Sequence, residues 1–449
     1  MQNSFLIKNA TIINEGRTFV GSVLIENQII AKIIEGEKLP IFDNTHNIID
    51  ANGLLLIAGV IDSHVHFRTP GLTEKGDFLT ESRAAVAGGV TSFMDMPNVK
   101  PQTLTVDLLK EKNDLAAEMS LANFAFYIGA TNDNLHELKK LQPNQACGVK
   151  IFMGASTGNM LVNNEKILSA IFAEIPYLIA VHCEDEQIIR QNIDFYKKKF
   201  ENREIPAEFH PLIRSAEACY RSSAKAAELA SKCGSRLHIL HVSTERELQI
   251  FDNKPLNYKQ ITAETCPHYL WFSENDYKNF GTKIKCNPAI KTESDRFSLI
   301  NALNNNKLDT VATDHAPHLL SEKRGDCLAA ASGIPSVQHS LIAMLELAQR
   351  GYFSLEKVVE KMCHAPAELF KIKKRGFIRE GYYADLVLIN PNEKWTVGQQ
   401  NILYKCGWSP FENTEFSNKI VATFVNGHKV YDNGIFDENQ KGVRLEFKI

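Results

Sequence analysis

The sequence predicts an α/β protein: a TIM-type (β/α)8 barrel beside a small β-sandwich-like domain that is built from both chain ends. Three observations lead to this prediction. The middle of the chain repeats short apolar runs separated by helical patterns, these runs are continuously apolar, and both chain ends alternate short β segments with turns. Continuous apolar strands are typical of parallel sheets covered by helices on both faces, and eight such units in a row favour a closed barrel.

The predicted barrel strands follow one another through the middle of the chain. They cover residues 54–67, 89–96, 122–129, 148–153, 177–183, 236–242, 260–266 and 309–313. Apolar residues three and four apart predict helices between them, at residues 79–87, 106–118, 165–175, 216–232 and 296–303. The sequence contains neither GxGxxG nor a Walker A motif, which removes the usual nucleotide-binding open sheets.

The two chain ends supply the second predicted domain. Short β segments are predicted at residues 4–7, 11–14, 21–25, 29–34, 384–389, 419–425 and 428–431. Between the last two, Asn426-Gly427 is typical of a hairpin turn. We therefore predict that residues 1–53 together with 375–449 form the β domain, and that residues 54–374 form the barrel.

The composition is that of a soluble globular protein, with 44% hydrophobic and 23% charged residues. A formal net charge of -3 offers no attraction for nucleic acid or an anionic membrane. The basic runs at residues 197–199 and 371–375 are interpreted as solvated surface. The nine cysteines include no CxxC motif and indicate reduced thiols. The N-terminus lacks the features of a signal peptide, which together with the thiols indicates a cytoplasmic location. We expect a cytoplasmic protein with a small-molecule substrate and with neither nucleic-acid nor membrane partners.

Ionisable residues fall late in five of the predicted barrel strands. His64 and His66 end the first strand two residues apart, so their imidazoles project to the same side. The fourth strand contributes Lys150 and the fifth contributes His182. The sixth strand contributes His241 and the eighth contributes Asp314. Because the C-terminal ends of barrel strands converge on one site, four imidazoles and a carboxylate predict a divalent transition metal, with zinc first.

Each of these residues has an ordinary alternative when it is taken alone. A single histidine at a strand end is often a hydrogen-bonded core residue, and Asp314 alone fits a helix cap. The alternative for Lys150 is a side chain that reaches solvent past its apolar neighbours. A lysine held neutral by its surroundings can instead add carbon dioxide, and the carbamate is a two-oxygen ligand able to bridge two metal ions. The strand order of the whole set favours the metal site.

At these residues the sequence resembles the amidohydrolase superfamily and, within it, the dihydroorotases. The resemblance runs through most of the barrel and is most specific at residues 62–71 (DSHVHFRTPG), 95–98 (DMPN) and 312–318 (ATDHAPH). Arg68 distinguishes the chain from allantoinases, which typically have asparagine at this position. Hydantoinases usually have neither this arginine nor the Met-Pro-Asn run.

The resemblance implies the ligand set of a two-metal site, with two zinc ions per subunit expected. The more buried ion would be bound by His64, His66 and Asp314, and the second ion by His182 and His241. Some members of this branch have an aspartate ligand and lack the modified lysine. Here Lys150 falls where the carboxylated lysine of related cyclic amidases occurs, so we expect it to be carboxylated and to bridge the two ions.

The resemblance also implies a substrate pocket beside the metals. Arg68 and Asn98 would hold a substrate carboxylate with help from His318, because a guanidinium makes two parallel charge-assisted bonds to such a group. The other substrate-binding residues would be His66, Asn287, Ser332 and Gly333. The family usually has Pro-Pro-Leu-Arg where this chain has Pro-Ala-Ile-Lys, at residues 288–291.

The implied activity is the reversible cyclisation of N-carbamoyl-L-aspartate to L-dihydroorotate in de novo pyrimidine biosynthesis. In this hypothesis a metal-bridging hydroxide attacks the ring carbonyl, and Asp314 moves the proton as general base and acid. The alternatives are a hydantoinase or allantoinase and, outside catalysis, an inactive dihydroorotase-like assembly subunit. We also expect a homodimer. Residues 319–331 are predicted to be either a plain connection or a lid over the barrel mouth.

Overall fold

Eight parallel strands dominate the computed structural model, which describes residues 4–36, 47–154 and 160–448. These barrel strands 1 to 8 are, in order, Val60–Val65, Val90–Asp95, Asn123–Gly129, Gly148–Phe152, Ile179–His182, Leu237–Ile239, Ile261–Thr265 and Thr310–Val311. Each strand pairs in parallel with the next one along the chain. Every residue of strands 1 to 5 is buried, which explains why these runs are mainly apolar without the alternation of a half-exposed strand.

The sheet curves back on itself and joins its two edges at the C-terminal mouth. Val65 forms a parallel bridge with His315, and the His66 amide donates a hydrogen bond of 2.7 Å to the His315 carbonyl. Asp62 in strand 1 also accepts hydrogen bonds from the amide and hydroxyl of Thr313, at 3.0 and 2.6 Å. The predicted TIM-type barrel is confirmed.

Helices connect the barrel strands. The five predicted helices are observed with small changes at their ends, because N-cap side chains set where they begin: Asp77, Thr105, Asn164, Ser215 and Thr292. The α-helices are Phe78–Ala87, Val106–Met119, Leu135–Leu138, Glu165–Glu174, Glu186–Lys199, His210–Ile213, Ala216–Cys233, Pro267–Trp271, Tyr277–Phe280, Glu293–Asn304, Ser340–Gln349, Leu355–Val359 and Ala365–Leu369. Shorter turns of 3-10 helix are Ala207–Phe209, Arg246–Gln249, Leu256–Tyr258, Glu274–Asp276, Gly281–Ile284 and Val337–His339, and Glu360–His364 is a π-helical turn. Of the helices in the described ranges, none combines the length and the apolar character that a membrane crossing needs.

Both chain ends contribute to one mostly antiparallel sheet, as predicted. Its strands are Ser4–Asn14, Arg17–Glu26, Ile29–Glu35, Asn47–Asp50, Leu55–Ala58, Leu386–Asn390, Lys419–Val425, His428–Asp432 and Ile435–Phe436. Leu55–Ala58 pairs with Ser4–Asn14 on one side and with Leu386–Asn390 on the other, which joins the N-terminal strands to the C-terminal ones. Lys419–Val425 and His428–Asp432 form the predicted hairpin. Trp395–Thr396 and Glu415–Phe416 make a separate two-stranded sheet.

The prediction that residues 54–67 form one barrel strand is wrong. It consists of two strands, because Leu55–Ala58 belongs to the terminal sheet and only Val60–Val65 enters the barrel. Gly59 lies at the break, where an added Cβ would approach the Thr91 hydroxyl oxygen to 2.1 Å. Conversely, residues 4–7 and 11–14 form one strand with a register shift between Ile7 and Ala10. The domain bounds themselves stay a prediction.

Candidate metal centre

Three ligand-type side chains from opposite edges of the barrel sheet meet at its mouth. The Nε2 atoms of His64 and His66 lie 3.2 and 3.1 Å from Oδ1 of Asp314. One ligand atom from each of the three residues falls within 4.8 Å of the others, and all three residues are buried. This cluster has the composition and spacing of a metal site.

A second pair of imidazoles adjoins this cluster. Nδ1 of His182 lies 2.8 Å from Nε2 of His241, and both residues are buried. The ring centroids of His241 and His64 are 5.3 Å apart, so the two groups form one continuous site. The structure therefore brings together all four predicted histidines and Asp314.

Three of these histidines have their second ring nitrogen held by an oxygen. Nδ1 of His64 contacts Glu264 at 2.6 Å, Nδ1 of His66 contacts Asn98 at 2.8 Å, and Nε2 of His182 contacts Glu184 at 3.1 Å. Metal-binding histidines almost always have such a partner, because it fixes the tautomer and the ring orientation. The residues present thus fit a bound divalent metal.

The charges at the site also fit a cation. Burial lowers the pKa of His66 to about 3 and also lowers the pKa values of His182 and His241, so these rings are neutral, as metal ligands must be. Although burial lowers the pKa of His64 as well, the carboxylates of Asp314 and Glu264 raise it to about 9. Positive charge is therefore favoured between these two carboxylates, and either a proton or a metal ion can supply it.

Lys150 lies inside barrel strand 4 with 1% of the residue exposed. The alternative in which it extends to solvent is therefore wrong. Burial lowers its pKa to about 8, which makes the neutral amine more accessible near neutral pH. The neutral amine is the form that adds carbon dioxide, and carboxylation of Lys150 stays a prediction.

A cationic pocket lies beside the predicted metal ligands. Arg68 is buried; its Nε donates to the Pro317 carbonyl at 3.1 Å, and its Nη2 lies 3.3 Å from Nε2 of His318. Nζ of Lys75 lies 3.3 Å from the other ring nitrogen of His318. Burial and the charges of Arg68, Lys75 and Lys323 lower the pKa of His318 to about 2, so this ring is neutral.

Of the remaining predicted substrate residues, Ser332 and Gly333 adjoin this pocket, whereas Asn98 and Asn287 contact other histidines. The Ser332 backbone slightly raises the pKa of His318, and a Cβ on Gly333 would lie 3.1 Å from the His318 ring. Asn98 instead contacts His66, a predicted metal ligand. The Asn287 side chain accepts a hydrogen bond from His210 at 3.2 Å.

Three site residues have left-handed backbones: Arg68 (φ 69°), His241 (φ 43°) and Asp314 (φ 47°). Such conformations cost about 1–3 kcal/mol each in residues other than glycine, and they concentrate at functional sites. Local hydrogen bonds hold the chain beside two of them. The Phe67 amide donates to Asp95 at 2.6 Å, and the His315 amide donates to the Thr313 hydroxyl at 3.0 Å.

Glu264 is the main site residue that the sequence analysis missed. It lies fully buried in barrel strand 7 and contacts His64 and His238. Although burial raises its pKa, these two histidines lower it to about 2. The available signal was a single carboxylate in an otherwise uncharged strand, Ile261–Thr265.

Comparisons with known proteins identify the family of this chain. The model of the amidohydrolase family matches residues 55–430. The chain is 30% identical over 441 residues to a dihydroorotase of Methanosphaera stadtmanae, covering 98% of this chain and 99% of that protein. It is also 30% identical over 441 residues to an allantoinase of Bacillus velezensis, covering 97% and 95%. The solved structure of L-hydantoinase (dihydropyrimidinase) from Arthrobacter aurescens matches with a TM-score of 0.92 at 27% identity, covering 98% and 99%. The chain therefore belongs to the amidohydrolase family, as one of its cyclic amide hydrolases.

Proposed function

We propose that this cyclic amide hydrolase is a dihydroorotase, which interconverts L-dihydroorotate and N-carbamoyl-L-aspartate in pyrimidine biosynthesis. The observation that carries the proposal is the buried Arg68 in the cationic pocket beside the metal ligands. In the part of the chain that the structure describes, Arg68 forms no ion pair, so its guanidinium is available to a carboxylate. Dihydroorotate has a ring carboxylate, whereas hydantoin and allantoin have none.

The residues around Arg68 favour an anionic substrate. Lys75 pairs with Glu322 at 2.6 Å. Within the described ranges Arg68 and Lys323 form no direct ion pair, although the carboxylates of Asp95, Asp314 and Glu322 act on the Arg68 charge from farther away. A charge-assisted hydrogen bond in a pocket shielded from water is roughly twice as strong as a neutral one. His318 is neutral and can orient the guanidinium by accepting a hydrogen bond from it.

Asp314 is proposed as the proton carrier. Although burial raises its pKa, His64 and His66 hold it well below its ordinary value, so the carboxylate is ionised at neutral pH and can accept a proton. In ring opening it would take the proton of the attacking water and pass it to the ring nitrogen; in ring closure it would deprotonate the carbamoyl nitrogen.

The proposed cofactor is a pair of zinc ions. His64, His66 and Asp314 would hold one ion, His182 and His241 the other, and a carboxylated Lys150 would bridge them. When bound, such ions lower the pKa of a water molecule to about 7 and polarise a carbonyl group.

Turnover of three ring substrates tests the proposal. The zinc-loaded protein is expected to open dihydroorotate faster than hydantoin or allantoin, and to form dihydroorotate from N-carbamoyl-L-aspartate. Faster opening of hydantoin or allantoin would replace the proposal with one of these related activities. A protein that binds no metal and turns over none of the three would indicate an inactive assembly subunit. We also propose that the protein is a homodimer, which sedimentation tests, and that it is cytoplasmic, which cell fractionation tests.

A further inference from the structure

Lys323 belongs to the segment 319–331, and its ammonium group is buried among backbone carbonyls. Its Nζ donates hydrogen bonds to the carbonyl oxygens of Lys285, Ala331 and Gly333, at 2.8, 2.8 and 2.9 Å. Only 2% of Lys323 is exposed. Although burial lowers the pKa of Lys323 to about 7, three carbonyl acceptors match the three donors of an ammonium, whereas a neutral amine has only two, so these contacts favour the charged form.

These three carbonyls belong to the two segments that are predicted to touch the substrate ring. Lys285 lies two residues before Asn287, while Ala331 and Gly333 flank Ser332. The Gly333 amide also donates to the Lys285 carbonyl at 3.0 Å, so the two segments are joined directly as well. A single buried cation therefore ties both segments together.

Gly333 connects this anchor to the cationic pocket. Its φ is 140°, and a Cβ there would lie 2.6 Å from the Ala316 carbonyl oxygen and 3.1 Å from Cδ2 of His318. His318 in turn lies 3.3 Å from the Arg68 guanidinium. A shift of the Gly333 backbone would therefore displace His318 and change the shape of the pocket around Arg68.

The segment 319–331 is also held at other points. Glu322 pairs with Lys75 at 2.6 Å, and the Cys327 amide donates to the Ile205 carbonyl at 2.8 Å. The segment is thus an anchored wall of the pocket in this structure. Among its side chains, Lys323 is the one whose charge is directed at the predicted substrate segments.

We propose that Lys323 is a positioning residue for the substrate, whose ammonium fixes the Gly333 and Lys285 carbonyls and thereby the pocket at Arg68 and His318. It acts through the backbone and does not touch the reacting atoms. The inference rests on the proposed function for the identity of the substrate, but the role of the pocket wall applies to any ring bound there.

The variant Lys323→Met tests this role, because methionine is unbranched and carries no charge. Arg324→Met is the matched control, since Arg324 is the next residue in the same segment and is exposed. We expect Lys323→Met to raise KM at least about tenfold while kcat changes by less than about threefold. Metal content is expected to be unchanged. The control is expected to leave both constants near those of the parent protein.

The assay uses whichever of dihydroorotate, hydantoin and allantoin the parent protein opens fastest. A wrong substrate assignment then changes the ring that is used but leaves the comparison of KM values intact. Equal KM values in folded, metal-loaded Lys323→Met and Arg324→Met would overturn the proposal. A parallel loss of kcat and metal content would also overturn it, because it would indicate a general structural role.

Gly333→Ala provides a second test if Lys323→Met does not fold. The added methyl group would lie 2.6 Å from the Ala316 carbonyl oxygen, so the same backbone has to shift, and the same rise in KM with nearly constant kcat is expected. An unchanged KM in folded Gly333→Ala would contradict the proposal. Failure of both variants to fold would assign Lys323 to the stability of the barrel and would equally reject a positioning role.

Discussion

Nδ1 of His64 lies 2.6 Å from Oε1 of Glu264, while Nε2 of the same ring faces Asp314 at 3.2 Å. One imidazole thus links a carboxylate of barrel strand 7 to the carboxylate that follows strand 8. Glu264 is itself fixed by His238 at 3.1 Å and by the Ser63 hydroxyl at 3.2 Å. Because a carboxylate in this position orients the ring and raises its basicity, Glu264 is expected to control the affinity of the metal centre.

Replacing Glu264 by glutamine is expected to lower the affinity for zinc about 10- to 100-fold, since the size is kept and the charge is removed. Titration with a chelator, followed by metal analysis, measures this. Glu247→Gln is the matched control, because Glu247 is also fully buried but bonds to Ser223 and Thr244 instead. Equal zinc affinities in the two variants would remove Glu264 from the metal centre.

Asp314→Asn is expected to keep its metal and to lose turnover by about 10²- to 10⁴-fold, the range for loss of a general acid or base. The amide oxygen can still act as a ligand, but it cannot accept and return a proton. Metal content and the rate of dihydroorotate opening are measured on the same sample. Full activity in the metal-loaded variant would exclude Asp314 as the proton carrier.

Arg68→Lys tests carboxylate recognition. Lysine keeps the charge but cannot form two parallel bonds to a carboxylate, so we expect kcat/KM for dihydroorotate to fall about tenfold or more. Opening of hydantoin, which has no carboxylate, is expected to change little. An equal loss for both rings would show that Arg68 supports the pocket without reading the carboxylate. Arg83→Lys, at a half-exposed ion pair with Glu438, is the control.

The meeting of His64, His182 and Asp314 could be predicted because the ends of apolar runs mark the mouth of the barrel, and these residues stand at such ends. Their partners could not be predicted, since the contact between His64 and Glu264 depends on how strands distant in the chain approach each other across the barrel. The apolar run through residues 54–67 conceals the break at Gly59, because a buried strand of either sheet has the same composition. The left-handed backbones of Arg68 and Asp314 also lack a local signal, since neither residue is a glycine.

Carboxylation of Lys150 is expected to appear as the mass of one added carbon dioxide under native conditions, and to be lost on acid denaturation. Burial favours the neutral amine that carries out the addition. Lys150→Ala is expected to lose activity and to regain part of it with acetate or propionate, which supply the missing carboxylate. Lys139→Ala is the control, because Lys139 is half exposed in an ion pair with Glu174. An unmodified mass in fully active protein would contradict the bridging role.

The ion pair of Glu184 predicts how the metal-free protein responds to acid. Although burial raises the pKa of Glu184, Arg214 and His182 lower it to about 2, against an ordinary value of 4.5. Because the folded-state pKa is depressed, this contribution to stability is complete above about pH 4.5 and is lost as the pH falls toward 2, a change of about 3 kcal/mol at most. Urea unfolding of the parent and of Glu184→Gln is expected to give a stability difference that shrinks between pH 5 and about pH 3. The exposed Glu111→Gln serves as the control and is expected to show a constant, small difference. A gap between parent and Glu184→Gln that stays the same over this range would mean that Glu184 is not ionised in the folded protein.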